Sequence, residues 1–108
     1  ATAHALPVLR DELPMPVVGV VGPGARGAVD ATRRGSIGVI GTMGTINSGA
    51  YERAIREATP DATITTRACP LFVPLVEEGW LQHEATRLVA REYLSPMAQA
   101  NVDTLVLG

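Results

Sequence analysis

Ile37-Gly38-Val39-Ile40-Gly41-Thr42-Met43-Gly44-Thr45 is the stretch that decides the fold. Its first four residues form a short, nearly continuous apolar run, which is typical of a strand covered on both faces. After the glycine–threonine turn, residues 48–58 carry apolar side chains at helical spacing, at Tyr51, Ala54, Ile55 and Ala58. Ser48 is the predicted N-cap of this helix. Strand, turn and helix in this order predict one unit of a parallel α/β sheet.

The same alternation continues on both sides of this unit. Further strands are predicted at Val17–Val21, Ala62–Thr66 and Thr104–Leu107, and the second of these alternates isoleucine with threonine like an edge or half-covered strand. Helices are predicted over Thr2–Leu13, Ala25–Arg34, Pro70–Glu78 and Gln82–Leu94. Gly79 should stop the third helix, and Pro96 should end or kink the last, with a short helical turn to Ala100.

These elements predict a single α/β domain over residues 1–108. Its parallel sheet should have about four strands, with helices on both faces because crossovers are right-handed. Residues 1–14 are expected to form a helix that leads into the core unit of residues 15–108.

Composition excludes several classes of protein. The chain is 46% hydrophobic with a net charge of −2, which gives no reason to expect nucleic acid or an anionic membrane as a partner. No apolar run reaches the roughly 18 residues of a membrane helix. The single cysteine excludes an internal disulfide and a multi-cysteine metal site, so a reducing cytoplasm is the expected compartment.

Gly22-Pro23-Gly24-Ala25-Arg26-Gly27 matches the G-x-G-x-x-G pattern between a strand and a helix. A dinucleotide site is one interpretation. However, Pro23 removes an N–H group from the loop, and Gly41 and Thr42 follow the next strand where a ribose-binding acid is expected. A tight turn between strand and helix is the favoured interpretation.

Gly41-Thr42-Met43-Gly44-Thr45 also follows a strand and precedes a helix. Its glycines would let backbone approach a ligand, while the two hydroxyls and the coming helix terminus would suit a carboxylate or a phosphate. A turn capped by threonine or serine fits the same spacing equally well, so both interpretations stay open.

Cys69-Pro70-Leu71-Phe72-Val73-Pro74-Leu75-Val76-Glu77-Glu78-Gly79 is the most unusual stretch. It begins just after a predicted strand. One of the adjacent carboxylates of Glu77 and Glu78 could be partly buried with a raised pKa, or both could lie at a solvated helix end. Free cysteine is commonly buried, which favours a thiol that faces the core.

Taken together, five segments resemble the glutamate racemase family, in order and across essentially the whole chain. They are Pro16–Ala25, Ile37–Thr42 with Gly44-Thr45, Ser48 with Ala50-Tyr51, Ala68–Glu77 and Asp103–Gly108. The Cys-Pro-Leu-Phe-Val-Pro-Leu-Val-Glu segment carries most of the specificity, because the strand motifs alone would be weak.

The resemblance implies two similar α/β domains with the active site in the cleft between them, and neither pyridoxal phosphate nor a metal. Two cysteines face each other across the substrate Cα; one thiolate removes the proton and the other thiol delivers one. It further implies conversion of L- to D-glutamate for peptidoglycan, and it admits a homodimer. Thr42 and Thr45 match substrate-binding positions. Glu77 matches a cleft carboxylate that supports the second cysteine, by orienting the histidine beside it.

Neither cysteine motif of the family is present. The family's Ala-Cys-Asn-Thr motif would precede Ala1, and Gly108 would be the first residue of its Gly-Cys-Thr-His-Tyr-Pro motif. Cys69 matches neither, so the 108-residue chain is expected to be inactive alone, as one domain-sized piece of a two-domain racemase. The alternatives are an aspartate or hydantoin racemase relative or a maleate isomerase, and, in another class, a small nucleotide- or anion-binding α/β module.

Overall fold

The computed structural model describes residue 12, residues 18–21, residues 26–33 and residues 35–108. The predicted helix over residues 2–13 lies outside the described residues except for Glu12, which is helical. The Gly22–Gly27 loop lies outside them too, apart from Arg26 and Gly27.

Four strands form one parallel sheet in the order β1-β4-β2-β3. They are β1 (Val18–Val21), β2 (Ser36–Gly41), β3 (Thr63–Ala68) and β4 (Thr104–Leu107). Ile37 of β2 pairs with both Thr104 and Ile64, and β4 pairs with β1 as well as with β2, so β2 and β4 are central. The predicted four-stranded parallel sheet is therefore confirmed, and the strand with the isoleucine–threonine alternation is at the edge, as expected.

Within the described residues, five helices connect these strands. They are α1 (Arg26–Ala31), α2 (Met43–Ser48), α3 (Ala50–Ala58), α4 (Phe72–Glu77) and α5 (Glu84–Gln99). The chain moves in one direction across the sheet from β1 to β3 and then returns to β4. Crossover connections between parallel strands are right-handed. Because the chain reverses its direction across the sheet after β3, α4 and α5 lie on the face opposite to the earlier helices.

Two apolar clusters lie on the two faces of the sheet. On one face Ile37, Val39 and Val106 pack with Ala28 of α1 and Ile55 of α3. On the other, Ile40, Leu105 and Leu107 pack with residues of α4 and α5, among them Phe72, Ala90, Tyr93, Leu94 and Met97. Neighbouring residues of β2 and β4 thus face different clusters, and the continuous apolar runs are explained by burial on both sides.

Gly38 lets α5 approach β2 closely. A Cβ atom at this position would lie 2.6 Å from Met97 Sδ and 3.1 Å from Leu105 Cδ1. The same contact explains how α5 continues beyond its proline. In agreement with the predicted helical turn to Ala100, the helix runs through Pro96 to Gln99 as one element, because Leu94 and Met97 on either side of the proline are both buried in the core. Burial of such side chains contributes roughly 1.5–3 kcal/mol each, enough together to offset the proline penalty of about 3 kcal/mol.

The sequence pattern predicts Ala85, Leu88, Val89 and Tyr93 on the apolar side of α5. Tyr93 is buried and Val89 packs against the core, so the prediction fails at Leu88 alone among these. Leu88 is 55% exposed and Val89 is half-buried, whereas Thr86 and Ala90 are buried. The Thr86 hydroxyl donates to the Trp80 carbonyl at 2.7 Å, so a polar residue occupies a position that a purely apolar pattern overlooks.

The N-terminal ends of the strands, called here the amino edge of the sheet, are held together by hydrogen bonds to Asp103. The Thr32 hydroxyl donates to one carboxylate oxygen at 2.7 Å, and the Arg33 N–H donates to the other at 2.9 Å. The Thr104 hydroxyl adds a bond of 3.1 Å. Beside this cluster the Ser36 hydroxyl donates to the Ala100 carbonyl at 2.9 Å.

Candidate functional site

The C-terminal ends of the strands form the carboxyl edge of the sheet. Two of the predicted site residues, Thr42 and Thr45, lie together there. The chain leaves β2 for α2, whose Ile46 packs on one face, and leaves β3 for α4, whose Phe72 packs on the other. Neighbouring strands whose connections diverge in this way leave a crevice between them, where ligands of open α/β sheets bind.

Thr42 and Thr45 lie together at this edge. Thr42 is the N-cap of α2, and its hydroxyl oxygen accepts the Thr45 N–H at 3.3 Å. It also donates to the Thr45 hydroxyl oxygen at 3.1 Å. Because Thr45 accepts that proton, its own hydroxyl proton is directed elsewhere, and a ligand oxygen at the edge could accept it. Thr42 is exposed and Thr45 is half-buried.

The helix α2 was not predicted. The sequence pattern indicates a glycine–threonine turn here, with Ser48 as the N-cap of the next helix. Ser48 is instead the last residue of α2, and Gly49, with φ of +67°, separates it from α3. The Ser48 hydroxyl still accepts the Ala50 N–H at 3.3 Å, so its capping chemistry was correct although the boundary was not. Both interpretations of the threonines, as a capped turn and as ligand donors, therefore fit the geometry.

Thr45 presents its methyl group to two glycines. A Cβ atom at Gly41 would lie 3.3 Å from Thr45 Cγ2, and one at Gly108 would lie 2.9 Å from it. The same Gly108 position is 3.1 Å from Tyr51 Cε2. Sequence reasoning assigns Tyr51 to a buried helical stripe and Gly108 to a strand motif, and it misses their contact. The available signal was that Gly41 and Gly108 each follow the apolar run of a central strand.

Glu77 lies on another helix. It is the last residue of α4 and is exposed. The helix ends as predicted at Gly79, with φ of +73°, where the Trp80 N–H donates to the Leu75 carbonyl at 2.9 Å and the Gly79 N–H to the Val76 carbonyl at 3.0 Å. This is a Schellman end. No contact among the described residues joins Glu77 to the threonine pair, so its predicted role stays a prediction.

Cys69 follows β3 at the same edge, but its thiol faces the core. The residue is 2% exposed and packs with Ile40 and Phe72. Burial raises the pKa of the Cys69 thiol to about 12, although the nearby Arg67 charge acts in the opposite direction. A thiol of this kind remains protonated at neutral pH, which agrees with the favoured interpretation that Cys69 is a core residue.

The described part of the chain has neither a cluster of metal-binding side chains nor a helix that could span a membrane. Over residue 12 and residues 18–21, 26–33 and 35–108, no group of three or more histidine, cysteine, aspartate or glutamate side chains could hold a metal ion. Nor does any helix in those ranges have the length and apolar character needed to cross a membrane.

Comparison with known proteins places the chain in a family. The family model described as Asp/Glu/Hydantoin racemase matches residues 1–108. A glutamate racemase from Geobacter metallireducens is 57% identical over the whole chain, which covers 40% of that protein. The chain thus spans well under half the length of this relative.

Two solved structures resemble the chain. A glutamate racemase from Bacillus anthracis matches 98% of the chain and 41% of its own, with a TM-score of 0.73 and 39% identity. One from Francisella tularensis, solved with D-glutamate, matches 77% of the chain and 31% of its own, with a TM-score of 0.70 and 37% identity. Because the family model matches the chain over its full 108 residues, the chain belongs to the Asp/Glu/hydantoin racemase family.

Proposed function

We propose that the intact protein containing this chain is a glutamate racemase, which interconverts L- and D-glutamate by proton transfer at Cα. The observation that carries the proposal is the threonine pair, whose hydroxyl oxygens lie 3.1 Å apart at the open carboxyl edge of the sheet. The names of the relatives add support, since the Geobacter protein at 57% identity is a glutamate racemase and the Francisella structure contains D-glutamate.

In the proposed reaction two thiols face opposite sides of Cα. One, as a thiolate, takes the Cα proton; the other donates its proton to the opposite face, so that each turnover leaves the first thiol protonated and the second ionised. Neither thiol is Cys69, because a buried thiol whose pKa is about 12 is a poor source of thiolate. The cysteines belong to the family's two motifs, which are not within residues 1–108.

This chain would supply part of the substrate-binding wall of a cleft between two domains. The Thr42 hydroxyl holds the Thr45 hydroxyl so that its proton points away, toward a substrate oxygen. Glu77, exposed at the end of α4, would support the second cysteine through the histidine beside it. The proposal needs no pyridoxal phosphate and no metal, and it places the protein in the cytoplasm, where it supplies D-glutamate for peptidoglycan. A homodimer is compatible with it.

The test is a racemisation assay on the intact protein in D₂O, without added cofactor and with a chelator. We expect D-glutamate to form from L-glutamate, with deuterium at Cα of the product. Aspartate is the matched substrate, one methylene shorter. Faster turnover of aspartate than of glutamate would assign the protein to another branch of the family, and no racemisation of either substrate would contradict the proposal.

Two further samples test the assignment of the cysteines. The isolated 108-residue chain should have no activity, and the Cys69→Ala variant of the intact protein should retain activity. Activity of the isolated chain, or a folded Cys69→Ala variant with no activity, would show that Cys69 takes part in the chemistry.

A further inference from the structure

We propose that the two branches of Thr45 have separate tasks: its hydroxyl binds substrate, while its methyl group, together with the ring edge of Tyr51, positions Gly108 and the thiol that follows it. The inference rests on the proposed function, which makes the residue after Gly108 the second cysteine. It assigns Thr45 and Tyr51 as positioning residues for that thiol.

The first observation is the tight packing around Gly108. A Cβ atom there would lie 2.9 Å from Thr45 Cγ2 and 3.1 Å from Tyr51 Cε2. Real Cβ contacts are almost never as short as the first of these distances. The side chains of Thr45 and Tyr51 therefore stand directly against the backbone of Gly108, and only glycine fits between them without a shift.

The second observation is that Gly108 is also held from the side of the sheet. Its N–H donates to the Ile40 carbonyl at 2.8 Å, which continues the pairing of β4 with β2 beyond Leu107. A Cβ atom at Gly41 would lie 3.3 Å from the Gly108 carbonyl oxygen. Gly108 is thus fixed by β2 on one side and by the Thr45 methyl and the Tyr51 ring on the other.

The third observation is that both contacting side chains are themselves held. The Thr45 hydroxyl accepts from Thr42 at 3.1 Å, and because hydroxyl and methyl share one Cβ, fixing the first fixes the second. Tyr51 packs against the cluster that contains Ile37, Val39 and Ile55. Substrate binding at the Thr45 hydroxyl and placement of the chain after β4 are therefore connected through a single stiff side chain.

Placement of this kind matters because proton transfer depends steeply on geometry. A displacement of about 1 Å in a reacting group can reduce the rate by about 100-fold. The methyl contact would act on the chemical step, whereas the hydroxyl would act on substrate affinity.

A matched pair of substitutions in the intact enzyme separates the two tasks. Thr45→Ser keeps the hydroxyl and removes the methyl; we expect kcat to fall about 10-fold or more while KM for glutamate changes less than about threefold. Thr45→Val keeps a methyl against Gly108 and removes the hydroxyl; we expect KM to rise about 10-fold with a much smaller change in kcat. Equal effects of the two variants on kcat and KM would overturn the inference.

The relative reactivity of the two thiols is a second readout, and a general loss of stability would not change it. Iodoacetamide alkylation, followed peptide by peptide with mass spectrometry, reports the rate at each cysteine separately. Thr45→Ser and Tyr51→Leu should change the rate at the second thiol relative to the first by at least about threefold, because local geometry sets thiolate reactivity. Thr45→Val should leave that ratio as in the wild type, and a ratio unaltered in all three variants would overturn the inference.

A rescue experiment completes the test. Gly108→Ala should lower kcat strongly, because the new Cβ would meet Thr45 Cγ2 at 2.9 Å. Adding Thr45→Ser removes that atom and should recover part of the lost kcat, whereas additive losses in the double variant would count against the contact. A wild-type enzyme without glutamate racemase activity would instead defeat the proposed function, so the two failures are distinguishable.

Discussion

The two edges of the sheet use the same residue types in opposite ways. At the amino edge, the hydroxyls of Thr32 and Thr104 both donate to the Asp103 carboxylate, within 3.1 Å. At the carboxyl edge, Thr42 and Thr45 bond to each other, and no acidic side chain contacts the pair among the described residues. Their neighbours there are glycines, at positions 41 and 108.

This difference separates a structural edge from a functional one. Hydroxyls that are satisfied by a carboxylate of the same chain stabilise the fold and have little left for a ligand. Hydroxyls that lie beside glycine backbone leave donors and space at the edge where parallel sheets bind their ligands. Substitutions at the amino edge should therefore change stability, and those at the carboxyl edge should change activity.

The largest effect on stability is expected for Asp103→Ala. The change removes the acceptor for the Thr32 hydroxyl, the Arg33 N–H and the Thr104 hydroxyl. We expect the free energy of unfolding to fall by about 3 kcal/mol, measured by urea denaturation, because hydrogen bonds to a charged acceptor are among the stronger ones.

Asp103→Asn is the matched variant, since it keeps one oxygen acceptor and should cost less. Glu57→Ala, which removes an exposed carboxylate of α3, controls for the change in net charge and should be nearly neutral. A cost for Asp103→Ala no larger than that for Glu57→Ala would mean that the amino edge is not the stabilising one.

A smaller effect is expected from a pair of glycine substitutions that compares the covered sheet with the open edge. In Gly38→Ala the new Cβ would lie 2.6 Å from Met97 Sδ, so we expect a loss of about 2 kcal/mol from overpacking. In Gly44→Ala nothing lies within 4 Å of the new Cβ, and alanine in α2 should stabilise by up to about 1 kcal/mol. Thermal denaturation of both variants measures this difference in stability. Equal shifts in Tm would contradict the prediction.

Much of the fold could be predicted from the sequence because periodicity reports burial directly. The runs around Val39 and Val106 are apolar at nearly every position, and both strands are central and covered on both faces. The alternation in β3 likewise matched its place at the edge. The local pattern left open whether Pro96 ends or kinks the last helix, and a tertiary contact decides it. The helix α5 continues through Pro96 because Met97 is buried against Gly38.

The candidate site was only partly predictable. The glycine–threonine motif marked Thr42 and Thr45, since motif residues that follow a strand fall at the carboxyl edge. Their mutual hydrogen bond depends on α2, which is six residues long and too short to give a periodic signal. The contact of Thr45 and Tyr51 with Gly108 joins residues more than 50 positions apart, and no pattern within a single segment contains it.

The smallest expected effect is on the pH dependence of stability, and it tests whether water at the open edge reaches Cys69. This residue follows β3 at that edge, and yet its thiol is buried. The pKa of this thiol is about 12 in the folded protein, against 9.0 for an unperturbed cysteine such as that of the unfolded chain. The folded state therefore holds the thiol proton more tightly. The resulting stability is fully present below about pH 9 and is lost as the pH rises toward 12.

At pH 10 the free energy of unfolding should be lower by about 1 kcal/mol than at pH 8 through the Cys69 thiol alone. Urea denaturation of the wild type and of Cys69→Ala at both pH values isolates this contribution, because the other titrating groups are shared. If the difference between the two proteins does not change with pH, the thiol is reached by water and the open edge extends down to Cys69.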